Sequence, residues 1–232
     1  FIKVLLPVAS EMHAHGDRHP LRRLYLTSTR ITLALVVPLA LVTGFLAADL
    51  LELWVGERYR SSAVLVVVLV SASVALTSQW PAGSVLQGIG RYGPVAVAAV
   101  VSGVVNVLLS IALVGPFGLT GVALGTLFPT VAEALVFVLP FTLRELGVAP
   151  TDLIRQVLVP VLVPVLPCGA ALLTARLVVT DPSWLTVSAS GSIAGALYLV
   201  GYLANPATAM ERAFAGHQLR RLTGTADHGR DG

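Results

Sequence analysis

Long apolar stretches separated by short polar segments fill most of the chain. They predict helices over about residues 24–53, 61–80, 94–114, 122–143, 157–179 and 184–204. Each stretch has roughly 20 residues or more, and an α-helix of that length crosses the roughly 30 Å hydrocarbon core of a bilayer. The pattern therefore predicts an all-α fold, a polytopic transmembrane bundle in which residues 20–204 form a membrane domain of six spans.

Two polar segments and one apolar fragment flank the predicted spans. Residues 1–10, FIKVLLPVAS, are typical of the end of a transmembrane helix, so we expect the chain to be the C-terminal part of a longer protein. Residues 11–23 predict a solvated loop, because the histidines within it lack the spacing of a metal site. Residues 205–232 predict a polar tail with a short surface helix around 207–222.

The composition supports a membrane protein. Hydrophobic residues make up 56% of the chain and charged residues only 12%, whereas soluble domains are about one quarter charged. The single cysteine, Cys168, excludes an internal disulfide. The modest net charge of +3 argues against a nucleic-acid partner. Of the 15 basic residues all but Lys3 are arginine, which is typical of a GC-rich bacterial source.

The arginines are distributed unevenly between the two sides of the predicted bundle. Three lie on one side: Arg58, Arg60 and Arg176. Eleven lie on the other: Arg18, Arg22, Arg23, Arg30, Arg91, Arg144, Arg155, Arg212, Arg220, Arg221 and Arg230. Because cytoplasmic loops carry the excess of Lys and Arg, the 11–23 loop and the C-terminal tail are predicted to be cytoplasmic, in a bacterial inner membrane.

One charged residue, Glu133, lies near the middle of the apolar stretch 122–143. A carboxylate at that depth costs a few kcal/mol or more, so it normally faces a bundle interior or a polar path. Thr126 and Thr130 share its helix face, and Pro129 leaves the Gly125 carbonyl without its usual donor. These residues make Glu133, Thr126 and Thr130 candidates for a substrate or ion pathway.

Three further pathway candidates lie in other segments. Asn106 belongs to a polar stripe on the predicted helix 94–114, at a depth similar to that of Glu133. Lys3 lies in the first apolar fragment, and Arg30 lies where the first long helix enters the hydrocarbon. Two interpretations of Glu133 stay open. It is either a structural acid bonded to Asn106 or a threonine, or a cavity group that takes part in proton or cation coupling.

A glycine motif in the connection 81–93 does not predict a cofactor. GIGRYG matches G-x-G-x-x-G at Gly88, Gly90 and Gly93. A dinucleotide site needs that motif between a strand and a helix, and here it follows an apolar helix. No cofactor and no metal site are expected.

Three segments of the chain together resemble a known family of membrane proteins. They are LLPVASEMHAHGD before a long Arg-led helix, LELWVGERYRSSAVLVVVL with its Trp-x-Gly turn, and VLQGIGRYGPVAVAAVVSGVVNVLLSIALVGPFGLTGVALGT. Their order and spacing resemble the oligosaccharide (polysaccharide-export) flippases of the MATE-like, or MOP, transporter superfamily. The resemblance covers roughly residues 1–145, and the last two helices agree with it by count.

The resemblance implies a fold and a transport function. Family members have about fourteen helices in two lobes around a central cavity, so this chain resembles the C-terminal lobe plus the last two helices. They move a polyprenyl-diphosphate-linked oligosaccharide across the membrane by alternating access. The implied partners are therefore that lipid-linked oligosaccharide, membrane lipids and an N-terminal lobe of the same protein. In the family the diphosphate meets arginines that lie mostly outside this chain, and Lys3 is the basic candidate left.

Other functions predict different features. A MATE-like drug exporter or a lipid II flippase belongs to the same superfamily, and this half of the molecule does not separate them. A membrane-embedded glycan polymerase or ligase needs acid or base groups on a sizeable external loop. The predicted outer connections, at about 54–60, 115–120 and 180–183, are too short, so we expect no enzyme. The acidic residues Asp49, Glu52 and Glu57 are interpreted as a solvated ion-pair patch with Arg58 and Arg60.

Overall fold

The computed structural model describes residues 2–14, 18–178 and 182–208, and within these ranges the chain is helical and has no strand. This confirms the predicted all-α class. The α-helices are α1 Ile2–Ala14, α2 Arg18–Phe45, α3 Ala47–Val55, α4 Ala63–Ser78, α5 Trp80–Gly88, α6 Gly93–Ala132, α7 Leu139–Leu146, α8 Pro150–Leu153, α9 Val159–Leu162, α10 Val165–Val178 and α11 Trp184–Ala204. Two 3₁₀ segments, Glu57–Ser62 and Pro206–Thr208, and two π-helical segments, Glu133–Val138 and Ile154–Leu158, complete the described chain.

Several helical stretches are long and apolar enough to cross a membrane. In the described ranges there are 5 of them: His19–Phe45, Glu57–Gly88, Gly93–Leu146, Pro150–Val178 and Trp184–Ala204. The helix predicted around 207–222 in the C-terminal tail lies mostly outside the described residues.

The stretch Gly93–Leu146 is a helical hairpin that turns at Gly118. Gly118 has φ +57° and ψ −138°, a conformation that glycine adopts without the penalty of a Cβ atom. Residues far apart in sequence meet across the turn, as Ser110 Oγ donates a hydrogen bond to the Val122 carbonyl at 3.3 Å. We name residues 93–117 the first arm and residues 119–146 the second arm. The turn falls within the predicted GPFGLTG connection.

Helices extend further into two segments than the sequence pattern indicated. Residues 11–14 continue α1, and α2 already begins at Arg18, within the segment predicted as the loop 11–23. Residues 80–88 form α5, although the sequence predicted an irregular connection there. The reason is tertiary packing, because Val85 and Leu86 of α5 are fully buried beside Ala9 of α1.

The first long helix ends before the predicted boundary at residue 53. α2 contains Pro38, where the sequence predicts a kink, and ends at Phe45. The backbone bends at Leu46, and α3 carries the chain on to Val55.

Two apolar cores hold the described helices together. One core joins α1, α2 and α5 to α7 and residues 153–157, and includes Tyr25, Leu86 and Val138. The other joins α2 to α9, α10 and α11, and includes Cys168 and Tyr198. Helix α2 contributes to both cores and is therefore the central element of the bundle.

Ion pairs gather at the two opposite ends of the bundle. At the end with the α7–α8 turn, Arg22 lies 2.9 Å from Asp152, and Arg91 lies 3.9 Å from Glu145. At the other end Arg60 pairs with Asp49 at 3.6 Å and also with Glu52. The second group confirms part of the ion-pair patch that the sequence predicted, while Glu57 and Arg58 form no ion pair among the described residues.

Candidate functional site

Away from the Gly118 turn, an open groove lies between the two arms of the hairpin. We name it the hairpin groove, and its volume is about 420 Å³. Valines dominate its walls, and two of them, Val97 and Val136, are 65% and 77% exposed. The groove is therefore open to the surroundings along its length.

Glu133 contributes the carboxylate that lines the hairpin groove, as the first residue of the π-helical segment Glu133–Val138. Its side chain is half-buried, and Ser102 is the polar side chain that faces it from the first arm. Among the described residues no group makes a hydrogen bond or an ion pair with this carboxylate. The groove is thus apolar with a single acidic group.

The arms touch closely at the turn because two glycines lie between them. A Cβ atom on Gly121 would lie 2.0 Å from the Leu113 carbonyl oxygen, and one on Gly125 would lie 2.3 Å from Ser110 Oγ. Such distances leave room only for hydrogen. The hairpin is consequently tight near Gly118 and open near Glu133.

Asn106 belongs to the tight part of the hairpin, not to the groove. Its side-chain oxygen accepts a long hydrogen bond of 3.4 Å from Ser110 Oγ, and no hydrogen bond joins it to Glu133. The bond from Glu133 to Asn106 that the sequence left open is therefore not formed in this structure.

Thr126 and Thr130 bond to their own helix. Thr126 Oγ1 donates to the Val122 carbonyl at 3.3 Å, and Thr130 Oγ1 donates to the Thr126 carbonyl at 2.8 Å. Neither threonine lines the hairpin groove. Their hydroxyl protons are engaged, so each retains only acceptor capacity toward another group.

Arg30 is buried at 6% exposure inside the bundle. Its Nη1 donates a hydrogen bond of 3.1 Å to the carbonyl of Gln156. That carbonyl lacks its α-helical donor because Pro160, four residues later, has no N–H group. Arg30 therefore supplies a hydrogen bond that the proline removes.

The second basic candidate, Lys3, lies in the first turn of α1. Its side chain is outside the part of the chain that the structure describes. Arg30 does not line the hairpin groove among the described residues.

Prolines explain both π-helical segments. Glu133–Val138 ends two residues before Pro140, and Ile154–Leu158 ends two residues before Pro160. Each segment ends with a backbone hydrogen bond between residues five apart, whereas the residues are four apart in an α-helix. The Leu139 N–H donates to the Ala134 carbonyl, and the Val159 N–H donates to the Ile154 carbonyl. The second segment follows α8 in a helical stretch that is broken again at residues 163–164. We name this stretch, Pro150–Val178, the broken helix.

Gln79 is a polar residue near the site that sequence reasoning missed. Its amide nitrogen lies 3.5 Å from the carbonyls of Ala75 and Thr130, and the latter belongs to the second arm. The sequence feature that could have identified Gln79 is its single amide side chain near the end of the apolar stretch 61–80.

Comparison with known proteins finds no match. No protein-family model, no curated protein and no solved structure matches the chain.

Proposed function

We propose that this chain is part of a membrane transporter that flips a polyprenyl-diphosphate-linked oligosaccharide by alternating access. In this proposal the chain supplies one lobe and two further helices, and an N-terminal lobe of the same protein supplies the rest of the cavity. The site acts by binding and moving its substrate, and it is not the active site of an enzyme.

The observation that carries the proposal is the half-buried carboxylate of Glu133 in an open, apolar groove. An acidic group among membrane-length helices is expensive unless it serves a pathway or finds a partner. In this proposal a second lobe closes the open side of the groove. Glu133 then lies at the boundary between the lobes, where a proton or cation can be bound and released.

Six membrane spans follow if each arm of the hairpin crosses the bilayer separately. The turn at Gly118 divides the 54-residue stretch Gly93–Leu146 into two arms of more than 20 residues each. With the four other stretches this gives the six spans that the sequence predicts. The arginine-rich end that contains Arg22 and Arg91 is proposed to be cytoplasmic.

A second candidate function is the export of lipophilic cations, as in MATE-like transporters. The specific observation in its favour is that the charged group lining the groove is acidic. A carboxylate between apolar walls complements a cation with an apolar body better than a diphosphate. A lipid II flippase, also in the same superfamily, would use the same surfaces.

Substitution of Glu133 tests the proposed coupling role. In the full-length protein reconstituted in vesicles, Glu133→Gln keeps the shape but cannot titrate. We expect it to fold at the normal level and to lose most flipping of a lipid-linked oligosaccharide. The matched control is Glu145→Gln, which removes a carboxylate from an ion pair outside the groove.

Two results would contradict this proposal. Normal flipping by Glu133→Gln excludes a coupling role for the carboxylate. The wild-type protein could also export tetraphenylphosphonium and fail to flip the lipid-linked oligosaccharide. That result would show a cation exporter and not a flippase.

A further inference from the structure

A second cavity lies inside the bundle, on the other side of the second arm from the hairpin groove. Its volume is about 300 Å³, and its walls come from α2, from the junction of α4 and α5, from the second arm and from the broken helix. Aliphatic side chains such as Leu33, Val74 and Val157 form most of the lining. We name it the inner cavity.

The polar side chains that line the inner cavity are uncharged. They are Tyr25, Thr29, Ser78 and Gln79. Thr29 is only 5% exposed, and its hydroxyl interacts with the hydroxyl of Tyr25 beside it, while no other group satisfies it within the described residues. Ser78 Oγ already donates to the Ala75 carbonyl at 2.7 Å, whereas the contacts of the Gln79 amide nitrogen are long, at 3.5 Å. A hydroxyl group can donate one hydrogen bond and accept two, so the Thr29 hydroxyl has capacity left for a ligand atom.

The inner cavity opens sideways between the second arm and the broken helix. Leu135 on one side and Leu162 on the other both line it, yet they are 60% and 51% exposed. An apolar chain outside the helices therefore reaches the cavity past Leu135 and Leu162.

Both π-helical segments contribute to the walls of the inner cavity. Leu135 and Val138 belong to the first segment, and Val157 and Leu158 belong to the second. Isolated π-helical turns inside α-helices occur frequently at functional sites. Two of them on facing walls mark this cavity as a built feature of the fold.

We propose that the inner cavity binds a single hydrocarbon chain that ends in an uncharged hydroxyl group, such as a long-chain alcohol. The hydroxyl bonds to Thr29, with Tyr25 and Gln79 as further partners. An apolar cavity of about 150 Å³ holds one benzene molecule, so twice that volume holds about twelve carbon atoms. The absence of charged lining residues excludes an ionised head group. This proposal does not depend on the proposed transport function.

Photolabelling of the purified full-length protein tests the site. The probe is a twelve-carbon alcohol with a diazirine near its methyl end, and a matched probe lacks the hydroxyl group. We expect the alcohol probe to label residues within 134–139 and 153–162, and unlabelled dodecan-1-ol to compete. Dodecanoate, which is ionised at neutral pH, should compete at least tenfold less well.

Variants of cavity residues separate specific binding from adsorption to the apolar surface. Ala134→Leu places a larger side chain in the inner cavity and should abolish the labelling, whereas Ala99→Leu, on an exposed helix face, should leave it unchanged. Thr29→Val should weaken binding of the alcohol about two- to tenfold and leave the probe without a hydroxyl unaffected. If Ala134→Leu does not fold, Ala75→Leu fills the same cavity from α4.

Three outcomes overturn the proposal. Labelling that dodecan-1-ol does not displace is adsorption of the probe to the apolar surface and not binding in the inner cavity. Labelling that persists in folded Ala134→Leu or Ala75→Leu places the probe elsewhere. An equal loss of both probes in Thr29→Val shows that the hydroxyl group is not recognised.

Discussion

Two glycines, Gly121 and Gly125, decide how closely the arms of the hairpin approach. They are four residues apart, a spacing that allows helices to touch through their backbones. The same spacing at Gly191 and Gly195 has less effect. A Cβ on Gly191 would meet side-chain methyl groups of Val42 at 3.2 Å and Leu46 at 3.9 Å, and one on Gly195 would meet nothing within 4 Å. The sequence contains both pairs and does not say which pair has a helix opposite. Spacing alone therefore did not identify the tight contact.

A matched pair of glycine variants tests this close contact. Gly125→Ala forces a methyl group against Ser110 and should destabilise the protein by about 1–3 kcal/mol. Gly103 lies in the first arm, where an added Cβ atom would meet nothing within 4 Å. Gly103→Ala should therefore stabilise the protein by up to about 1 kcal/mol. Thermal unfolding in detergent measures both effects. Equal midpoints for the two variants would show that the arms do not touch at Gly125.

Glu133 illustrates what sequence reasoning predicts about a single site residue. Its position inside an apolar helix follows from the residues around it, and the structure places it half-buried between apolar walls. Its surroundings across the groove did not follow, because they depend on how the first arm is rotated. Asn106 lies at a similar depth but forms its contact with Ser110 instead.

Among the elements, the broken helix depends most on its neighbours. The sequence predicted that Pro160, Pro164 and Pro167 make its first half irregular, and the structure has a π-helical segment and a turn in that region. The group that replaces a lost hydrogen bond was not predictable. Arg30 lies 126 residues before Gln156 in the chain, and no local pattern links the two.

A double-mutant cycle tests the link between Arg30 and the proline break. Arg30→Met should destabilise the protein by about 1–3 kcal/mol or more, in part because the Gln156 carbonyl loses a donor. In the Pro160→Ala background the alanine N–H can donate to that carbonyl, so the loss from Arg30→Met should be smaller. Chemical denaturation of the four proteins gives the coupling free energy. Strict additivity would mean that Arg30 acts only through its other contacts.

For the whole molecule, the clearest organising feature is the separation of charges into two ends. Arg22 and Arg91 are bound at one end, and Arg60 is bound at the other. The sequence predicted this separation because apolar stretches of membrane length alternate with charged connections. It did not predict the partners, since Asp152 and Glu145 are brought to Arg22 and Arg91 by the packing of the helices.

Cysteine labelling tests the orientation of these two ends. In a Cys168→Ala background, Glu57→Cys and Thr151→Cys place exposed thiols at opposite ends of the bundle. A membrane-impermeant thiol reagent should label Glu57→Cys in intact cells and Thr151→Cys only after permeabilisation. The unmodified protein is the control, because Cys168 is fully buried. The reverse labelling pattern would invert the orientation.

The breaks in the broken helix have a consequence for how the protein is made. The Gln156 carbonyl bonds to Arg30, which the ribosome has already synthesised, whereas the Val161 carbonyl bonds to Tyr198 at 3.1 Å, which is synthesised later. Unsatisfied backbone groups are costly in lipid. We therefore expect the stretch Pro150–Val178 to contact α2 first during translation, and the Val161 carbonyl to gain its partner only after α11 has been synthesised. This region would thus assemble in the order in which its helices are synthesised.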